Sequence, residues 1–294
     1  MMQTDDFLKY LQYERNRSPR TITSYGDALH AFEKYFRNLD AGLTWETVDS
    51  DIIRDWMESL MDGGMKASSV NQRMSAVRSF YRYALSHGLV EHDPSYAVKG
   101  PKKQRPLPQF LKENEMDRLL NPKMWGDSYQ DLLERTIIMT FYETGIRRSE
   151  LLSLTLERVD FNHHALKIHG KRDKERIIPM GEELEAQLSR YVTERDKLEE
   201  HSSDSFFLTS KGRPVSSPEV YIWVKKNLSK VCTLKKRSPH VLRHTFATAM
   251  LNHNADLESV KQLLGHVSLS TTEIYTHTTF EQLKREYIEA HPRA

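Results

Sequence analysis

A single cysteine, Cys232, stands in this chain of 294 residues, so no intrachain disulfide can form and the composition favours a reducing compartment. The chain also has no apolar run near the roughly 20 residues that a spanning helix needs. The opening segment MMQTDDFLKY is acidic and lacks the apolar stretch of a secretory signal. These absences argue against a secreted disulfide scaffold and a membrane-spanning protein, and they predict a soluble, cytoplasmic one.

The chain has little net charge, +2, and this value alone predicts no partner. Its distribution is uneven: residues 1–63 carry 7 Lys/Arg and 12 Asp/Glu, whereas 64–105 carry 8 and 2. Residues 220–255 carry 7 Lys/Arg and no acid. Two basic stretches on a nearly neutral chain favour an anionic partner held at two places. The alternative is two solvated basic faces.

Length and residue pattern predict two domains. A chain of 294 residues with 38% hydrophobic and 29% charged residues can form two cores of ordinary size. We expect an N-terminal helical domain over 1–100 and a second domain over 109–294. Between them, 101–108 is rich in proline and in basic residues that include Lys102 and Lys103, and it cannot continue a helix. It is predicted to be a basic linker whose lysines contact DNA.

The N-terminal domain is predicted to be helical throughout. Ser18 before Pro19 is typical of a helix start, and Gly88 is typical of the end of a long helix that begins near residue 68. That helix has an apolar stripe and, on another face, a polar and basic ridge at steps of 4, 3 and 4, formed by Asn71, Ser75, Arg78 and Arg82. Such a ridge can lie against DNA phosphates, although a solvated surface is the alternative.

The second domain is predicted to be mostly helical with a small sheet. The segments ALKIH and ERIIP alternate in hydropathy and flank a turn, which predicts a hairpin, and SFFLT is predicted to be a third strand. An apolar helix is predicted to end at Gly145. Further helices are expected near 182–198, 218–231, 239–253, 256–264 and 279–290.

Four separated segments hold residues that can handle a phosphodiester. Arginines bind its non-bridging oxygens, a lysine can protonate a leaving oxygen, and a tyrosine hydroxyl can attack phosphorus. The candidates are Arg147 in TGIRRSEL, Lys171 in GKRDKER, His240 and Arg243 in SPHVLRHTFATAM, and His266 and Tyr275 in LLGHVSLSTTEIYTH.

Each candidate also has a plainer interpretation. A lone tyrosine on a helix is more often packing than chemistry. His240 and His244 have the i, i+4 spacing of two zinc ligands, but Val241 stands where a metalloprotease motif has its glutamate. Residues 255–275 also resemble a helix-turn-helix, which would suit a DNA-binding regulator without catalysis.

The joint pattern resembles the tyrosine recombinases, and within them the Xer-like group. TGIRRSELLSL resembles that family's first-arginine motif, GKRDKERIIPM its lysine hairpin, HVLRHTFAT its His-x-x-Arg motif, and LLGHVSLSTTEIYTH its second histidine and nucleophile. The resemblance covers the whole chain. It implies a mainly α fold: an N-terminal helical core-binding (SAM-like) domain, then a mixed, mostly helical catalytic domain with a small antiparallel sheet.

The resemblance also implies roles for the candidates. Tyr275 would be the nucleophile, Arg147 and Arg243 would hold the phosphate oxygens, and Lys171 would be the general acid. His240 would help take the tyrosine proton and His266 would bind a phosphate oxygen. Lys174 is a second candidate for the general acid, less favoured because Lys171 follows the glycine of the turn. The resemblance implies neither a metal nor a cofactor.

The implied function is site-specific DNA recombination through a 3′-phosphotyrosyl intermediate, with resolution of chromosome or plasmid dimers as the favoured role. An integrase or invertase of a mobile element uses the same chemistry; a type IB topoisomerase and a non-catalytic regulator are less favoured. The expected partners are double-stranded DNA, a homotetramer or a heterotetramer with a related recombinase, and possible activation by a DNA translocase. We expect a nucleoid-associated cytoplasmic enzyme.

A short helix after the nucleophile is predicted to join subunits. In TFEQLKREYIEA, Phe280, Leu283 and Tyr287 recur at steps of 3 and 4 and form an apolar face that needs a surface to cover it. Docking on a neighbouring subunit is expected; docking on its own domain is the alternative.

Overall fold

The computed structural model describes residues 4–102, 109–170, 175–198, 203–265 and 277–293, with the backbone alone for 277–281. The chain divides into two compact units, Met1–Pro106 and Leu107–Ala294. The predicted linker 101–108 stays a prediction, because most of it lies outside the described residues. No helix within those ranges is long and apolar enough to cross a membrane.

The first unit is helical, as predicted. Its described helices are α1 (Thr4–Tyr13), α2 (Pro19–Leu39), α3 (Ser50–Asp62) and α4 (Ala67–Ser86). Ser18 accepts a hydrogen bond from the Thr21 N–H at 3.4 Å and so caps α2. Gly88, with φ +65°, ends α4, because the Leu89 N–H reaches back to the Ala84 carbonyl at 2.9 Å.

The core of the first unit is aromatic. The predicted apolar stripe of α4 is fully buried, and Phe80 packs beside it. Trp45 lies 4.3 Å from the Phe80 ring centre and 5.6 Å from that of Phe32, so one indole joins α4 to α2. The core therefore buries one face of α4 and leaves its other faces for solvent or a ligand.

The second unit is mostly helical with a three-stranded antiparallel sheet, as predicted. Two short 3-10 helices (Pro122–Met124 and Leu156–Arg158) accompany its longer elements. Those within the described ranges are α5 (Glu113–Leu120), α6 (Tyr129–Thr144), α7 (Arg148–Leu152), β1 (Val159–Asp160), β2 (Ala165–His169), β3 (Glu175–Pro179), α8 (Glu182–Arg195), α9 (Ser217–Leu228), α10 (Pro239–Asn252), α11 (Leu257–Leu264) and α12 (His277–Ala290).

The hairpin of β2 and β3 confirms the sequence prediction, but the third strand was placed wrongly. β2 pairs with β3 from Ala165 opposite Pro179 to His169 opposite Glu175, and β1 pairs with the other side of β2. The segment SFFLT instead makes only isolated bridges, from Ser205 and from Leu208. Its rings are buried in the helical core, so the apolar character that suggested a strand reflects burial.

Helix α6 runs through the core of the second unit and delivers the chain to the candidate site. Most of its residues are buried, and it packs against α8 and α10. It ends at Gly145, whose φ is +60° and whose N–H bonds to the Phe141 carbonyl at 3.0 Å. This left-handed turn places Arg147 immediately before α7.

The tail helix α12 packs on its own unit. It contacts α10, α11 and β3; its Tyr287 and Ala290 belong to the main core, and its Leu283 is also buried. His291 stacks on Tyr287 with ring centres 5.2 Å apart. Two residues of the predicted apolar face, Leu283 and Tyr287, are therefore covered within the chain, and the Phe280 side chain lies outside the described residues. Docking on a neighbour stays a prediction.

Candidate active site

Arg147 occupies the N-cap of α7 and is held by one acid. Its backbone N–H donates to Glu150 Oε2 at 2.7 Å and its Nη1 donates to Glu150 Oε1 at 2.8 Å. Its Nη2 donates to the Gly265 carbonyl at 3.2 Å. The side chain is 35% exposed, so the guanidinium is fixed on one side and open to solvent on the other.

Arg243 lies on α10 and bonds to the chain at the end of α6 and at the end of α11. Its Nη1 donates to the Gly145 carbonyl at 2.5 Å and its Nη2 to the Leu264 carbonyl at 2.6 Å. Burial, followed by the charge of Arg147, lowers the pKa of Arg243 to about 10. The group is therefore still cationic near neutral pH, and it ties the end of α6 to the end of α11.

His240 precedes Arg243 by almost one turn of α10 and is exposed. Desolvation lowers its pKa, and so do the nearby positive charges of Arg148, His244, Arg243 and Arg147. A neutral imidazole at physiological pH can accept a proton, which is the state that a general base needs.

Three arginines meet at the C-terminal end of α11. Arg176 Nε donates to the Leu263 carbonyl at 2.7 Å, next to the carbonyls of Leu264 and Gly265 that receive Arg243 and Arg147. The last carbonyls of a helix lack intrahelical partners and carry partial negative charge, so cations stabilise them. This arrangement fixes the point where the chain leaves α11 toward residue 266.

Glu150 and Arg176 form a buried ion pair that the sequence interpretation missed. The two guanidinium ends donate to the two carboxylate oxygens at 3.0 and 2.8 Å, and the side chains are 4% and 6% exposed. Burial alone would raise the pKa of Glu150, but the hydrogen bonds and charge of Arg176, with the bonds from Arg147, lower it to about 2.

A sequence signal for this pair existed. Glu150 is the third residue of α7, where a carboxylate bonds back to the N-cap residue, Arg147. Arg176 takes an inward-facing position in the alternation of β3, where an apolar residue is expected. An arginine at such a position requires a buried partner.

The structure thus brings together Arg147, His240 and Arg243, and the other catalytic candidates lie outside the described residues. In the sequence, Lys171 lies between β2 and β3, and His266 and Tyr275 lie between α11 and α12. The described part of the site is a cationic surface next to the end of α11, where the chain leads to residue 266. Such a surface can bind a phosphate and stabilise charge that develops on it.

Some of the six candidate DNA-contacting residues are exposed, and others are engaged in hydrogen bonds within the first unit. Asn71 Nδ2 donates to the Pro101 carbonyl at 2.8 Å, and Arg78 Nη2 donates to the Val98 carbonyl at 2.6 Å. Both side chains thereby fasten the segment that follows the first unit's helices. Ser75, Arg82 and Lys102 are exposed. Lys103 lies outside the described residues, and contact of all six residues with DNA stays a prediction.

His240 and His244 both project from α10 and are exposed. Across the described ranges, no group of three or more His, Cys, Asp or Glu side chains is arranged to hold a metal ion. The helix-turn-helix interpretation falls largely on residues 266–275, which lie outside those ranges.

Comparison with known proteins identifies the family. Residues 109–282 match the phage integrase family, and residues 4–88 match the phage integrase N-terminal SAM-like domain. The chain belongs to the phage integrase family. Its enzymatic class is tyrosine recombinase and its activity is Xer-like site-specific recombination, as predicted.

Full-length relatives support that assignment. The chain is 35% identical to tyrosine recombinase XerC of Chlorobaculum tepidum, over 98% of this chain and 94% of that protein. It is 34% identical to tyrosine recombinase XerD of Oceanobacillus iheyensis, over 99% and 98%. The crystal structure of the XerH site-specific recombinase bound to difH substrate shares the fold, with a TM-score of 0.70 at 23% identity over 97% of this chain and 84% of that one.

Proposed function

We propose that this chain cuts and rejoins duplex DNA at a specific site through a covalent bond between Tyr275 and a 3′-phosphate. The observation that carries the proposal is the convergence of Arg147, Arg243 and His240 beside the end of α11, the helix that leads to the nucleophile segment. Two guanidinium groups suit the two non-bridging oxygens of a phosphodiester.

In the proposed step the Tyr275 oxygen attacks the scissile phosphorus. The new bond joins that oxygen to phosphorus, and the bond from phosphorus to the 5′-oxygen breaks. The tyrosine proton passes to His240, and Lys171 supplies a proton to the leaving 5′-oxygen. Attack by a new 5′-hydroxyl reverses the step and releases the tyrosine, so no external energy source is required.

Arg147 and Arg243 are assigned to charge stabilisation and His266 to a hydrogen bond with a phosphate oxygen. An unperturbed tyrosine has a pKa of about 10, so the cationic surroundings help Tyr275 to react near neutral pH. Because the side chains supply the positive charge, we expect cleavage to proceed in EDTA. Loss of cleavage in EDTA and recovery with zinc would restore the His240 and His244 metal interpretation.

We favour resolution of chromosome or plasmid dimers as the cellular role, since the relatives over the full length are named XerC and XerD. This role requires double-stranded DNA and four subunits on paired sites, either identical or shared with a related recombinase. Activation by a DNA translocase and a cytoplasmic, nucleoid-associated location belong to the same proposal. Integration or inversion of a mobile element is the second candidate.

Covalent capture from cells tests both chemistry and role. Tagged protein is recovered under denaturing conditions and the attached DNA is sequenced, with Tyr275→Phe as the control. We expect one chromosomal or plasmid site with the unaltered chain and none with Tyr275→Phe. Attachment at the ends of a mobile element would select the second role. DNA binding by both proteins without attachment would support a regulator and contradict the proposal.

A further inference from the structure

Arg176 is a buried arginine of the hairpin motif for which the proposed chemistry has no role. It is the second residue of β3 and follows Lys171 by five residues in the sequence. Its side chain is 6% exposed, although a guanidinium is costly to bury without partners. Its position therefore requires a compensating set of contacts.

Those contacts join three parts of the candidate site. The fork of Arg176 donates to both oxygens of Glu150 and its Nε donates to the Leu263 carbonyl. The guanidinium also lies directly under Gly265, since a methyl group placed there would come within 3.1 Å of its Nη1. One side chain thus links the hairpin, the start of α7 and the end of α11.

Glu150 connects Arg176 to Arg147, because it accepts hydrogen bonds from both arginines. It accepts two hydrogen bonds from Arg176 and two from Arg147, one of them from the Arg147 backbone. Without the fork of Arg176, two of the four bonds to this buried carboxylate would be lost. Glu150 would then be free to turn, and Arg147 would lose its fixed orientation.

We infer that Arg176 is a positioning residue for strand cleavage, which sets Arg147 through Glu150 and is itself anchored on the Leu263 carbonyl. The inference rests on the proposed function. Arg176 does not touch the DNA, because its guanidinium is buried and turned toward Glu150 and Leu263. Its effect is therefore on the rate of the chemical step and not on binding.

The test uses Arg176→Lys in the full chain. A lysine keeps the positive charge but cannot donate to both carboxylate oxygens and to the Leu263 carbonyl in one plane. The substrate is a nicked duplex that carries the site recovered by covalent capture. Single-turnover formation of the covalent adduct gives the cleavage rate at saturating DNA, and a mobility shift gives Kd.

Arg195 offers a matched control. It is also 6% exposed, and its Nε and Nη2 donate to the carbonyls of Phe206 and Ser205 at 3.0 Å, away from Arg147 and Glu150. Arg195→Lys therefore perturbs a buried arginine of the same unit to a similar degree. We expect similar falls in melting temperature for both variants and slower cleavage for Arg176→Lys alone.

The expected result is a cleavage rate about 10- to 100-fold lower for Arg176→Lys, with Kd within about twofold of the unaltered chain. A double variant with Glu150→Gln should be no slower than Glu150→Gln alone, because both changes break the same connection. Independent, multiplying losses would contradict the inference, and so would an unchanged rate or equal slowing by Arg195→Lys. If the unaltered chain forms no adduct, the proposed function itself fails.

Discussion

At the residue scale, Glu150 shows how an acid can serve a site built to attract an anion. Its four hydrogen bonds come from two arginines and occupy both carboxylate oxygens. Its charge is thereby neutralised locally, while Arg147 keeps an exposed edge and Arg243 keeps its charge. The carboxylate therefore orients Arg147 and leaves the exposed edge of its guanidinium for the phosphate of the proposed reaction.

Acidification should weaken this contribution of Glu150. Its pKa is lowered from 4.5 to about 2 in the folded chain, so its stabilising effect is fully present above about pH 4.5 and is lost as pH falls toward 2. Glu150→Gln should cost about 3–5 kcal/mol at pH 6, where it breaks a buried pair. The difference in unfolding free energy should shrink below about pH 4.5.

Urea unfolding at several pH values measures that difference. Glu175→Gln is the control, because it removes an exposed carboxylate that pairs with Arg158 at the surface. It should show a small difference in unfolding free energy at every pH. A gap for Glu150→Gln that stays constant between pH 6 and pH 3 would contradict the role assigned to the ionised carboxylate.

The role of Lys171 as general acid can be tested by changing the leaving atom of the DNA substrate. Lys171→Ala should slow cleavage of normal DNA by about 100-fold or more, the usual range for loss of a general acid. A 5′-bridging sulfur should restore the rate, because a thiolate leaves without a proton. The measurement is adduct formation on the two substrates. Rescue of Lys174→Ala instead would assign the proton to the second lysine of the turn.

At the element scale, the joint between α6 and α7 decides where Arg147 lies. Gly145 combines a left-handed backbone with close packing, since a methyl group there would come within 2.5 Å of Phe246 and 2.8 Å of Leu264. Its carbonyl also receives Arg243. A glycine is therefore required for conformation and for space.

Gly145→Ala should cost more than the backbone alone explains. The left-handed conformation accounts for about 1–2 kcal/mol, and the clash with Phe246 and Leu264 adds to it. Gly88→Ala is the matched control, since Gly88 has φ +65° but nothing within 4 Å of an added methyl group. Free energies of unfolding measure both changes. Equal losses would mean that the core at Gly145 makes room for the methyl group.

The tail helix gives a different expectation from the one based on sequence. Because Tyr287 is fully buried in the same chain, Tyr287→Ala should destabilise the protein by about 3–5 kcal/mol. Ile288→Ala, which changes a residue of the same helix that is 52% exposed, should cost far less. Chemical unfolding and light scattering follow both variants. Unchanged stability with lost self-association in Tyr287→Ala would show that the face docks on a neighbour.

The elements were predictable where the signal is local, and the site's connections were not. Gly145 and Gly88 marked helix ends, and the alternation of ALKIH and ERIIP marked the hairpin. The bond between Glu150 and Arg176 spans 26 residues, and that from Arg176 to Leu263 spans 87. Such pairs depend on tertiary packing, which neither periodicity nor a short motif contains.

At the scale of the whole molecule, each of the two units has a basic stretch. The first unit is acidic over 1–63 and basic after it, and the second has a stretch, 220–255, without any acid. Basic groups on both units suit the phosphate backbone of one duplex, which supplies affinity that falls with salt and little sequence information. In the proposed function, Arg147 and Arg243 at the end of α11 then hold a single phosphate.

The most direct test is to locate the covalent bond. The adduct on the nicked duplex is digested with trypsin and nuclease, and the peptide that retains a nucleotide is sequenced by mass spectrometry. We predict the added mass on Tyr275, within the peptide that follows Lys261 and ends at Lys284. Mass on Ser268, Ser270 or Tyr287, or a DNA-bound protein without any nucleotide-bearing peptide, would contradict the proposed chemistry.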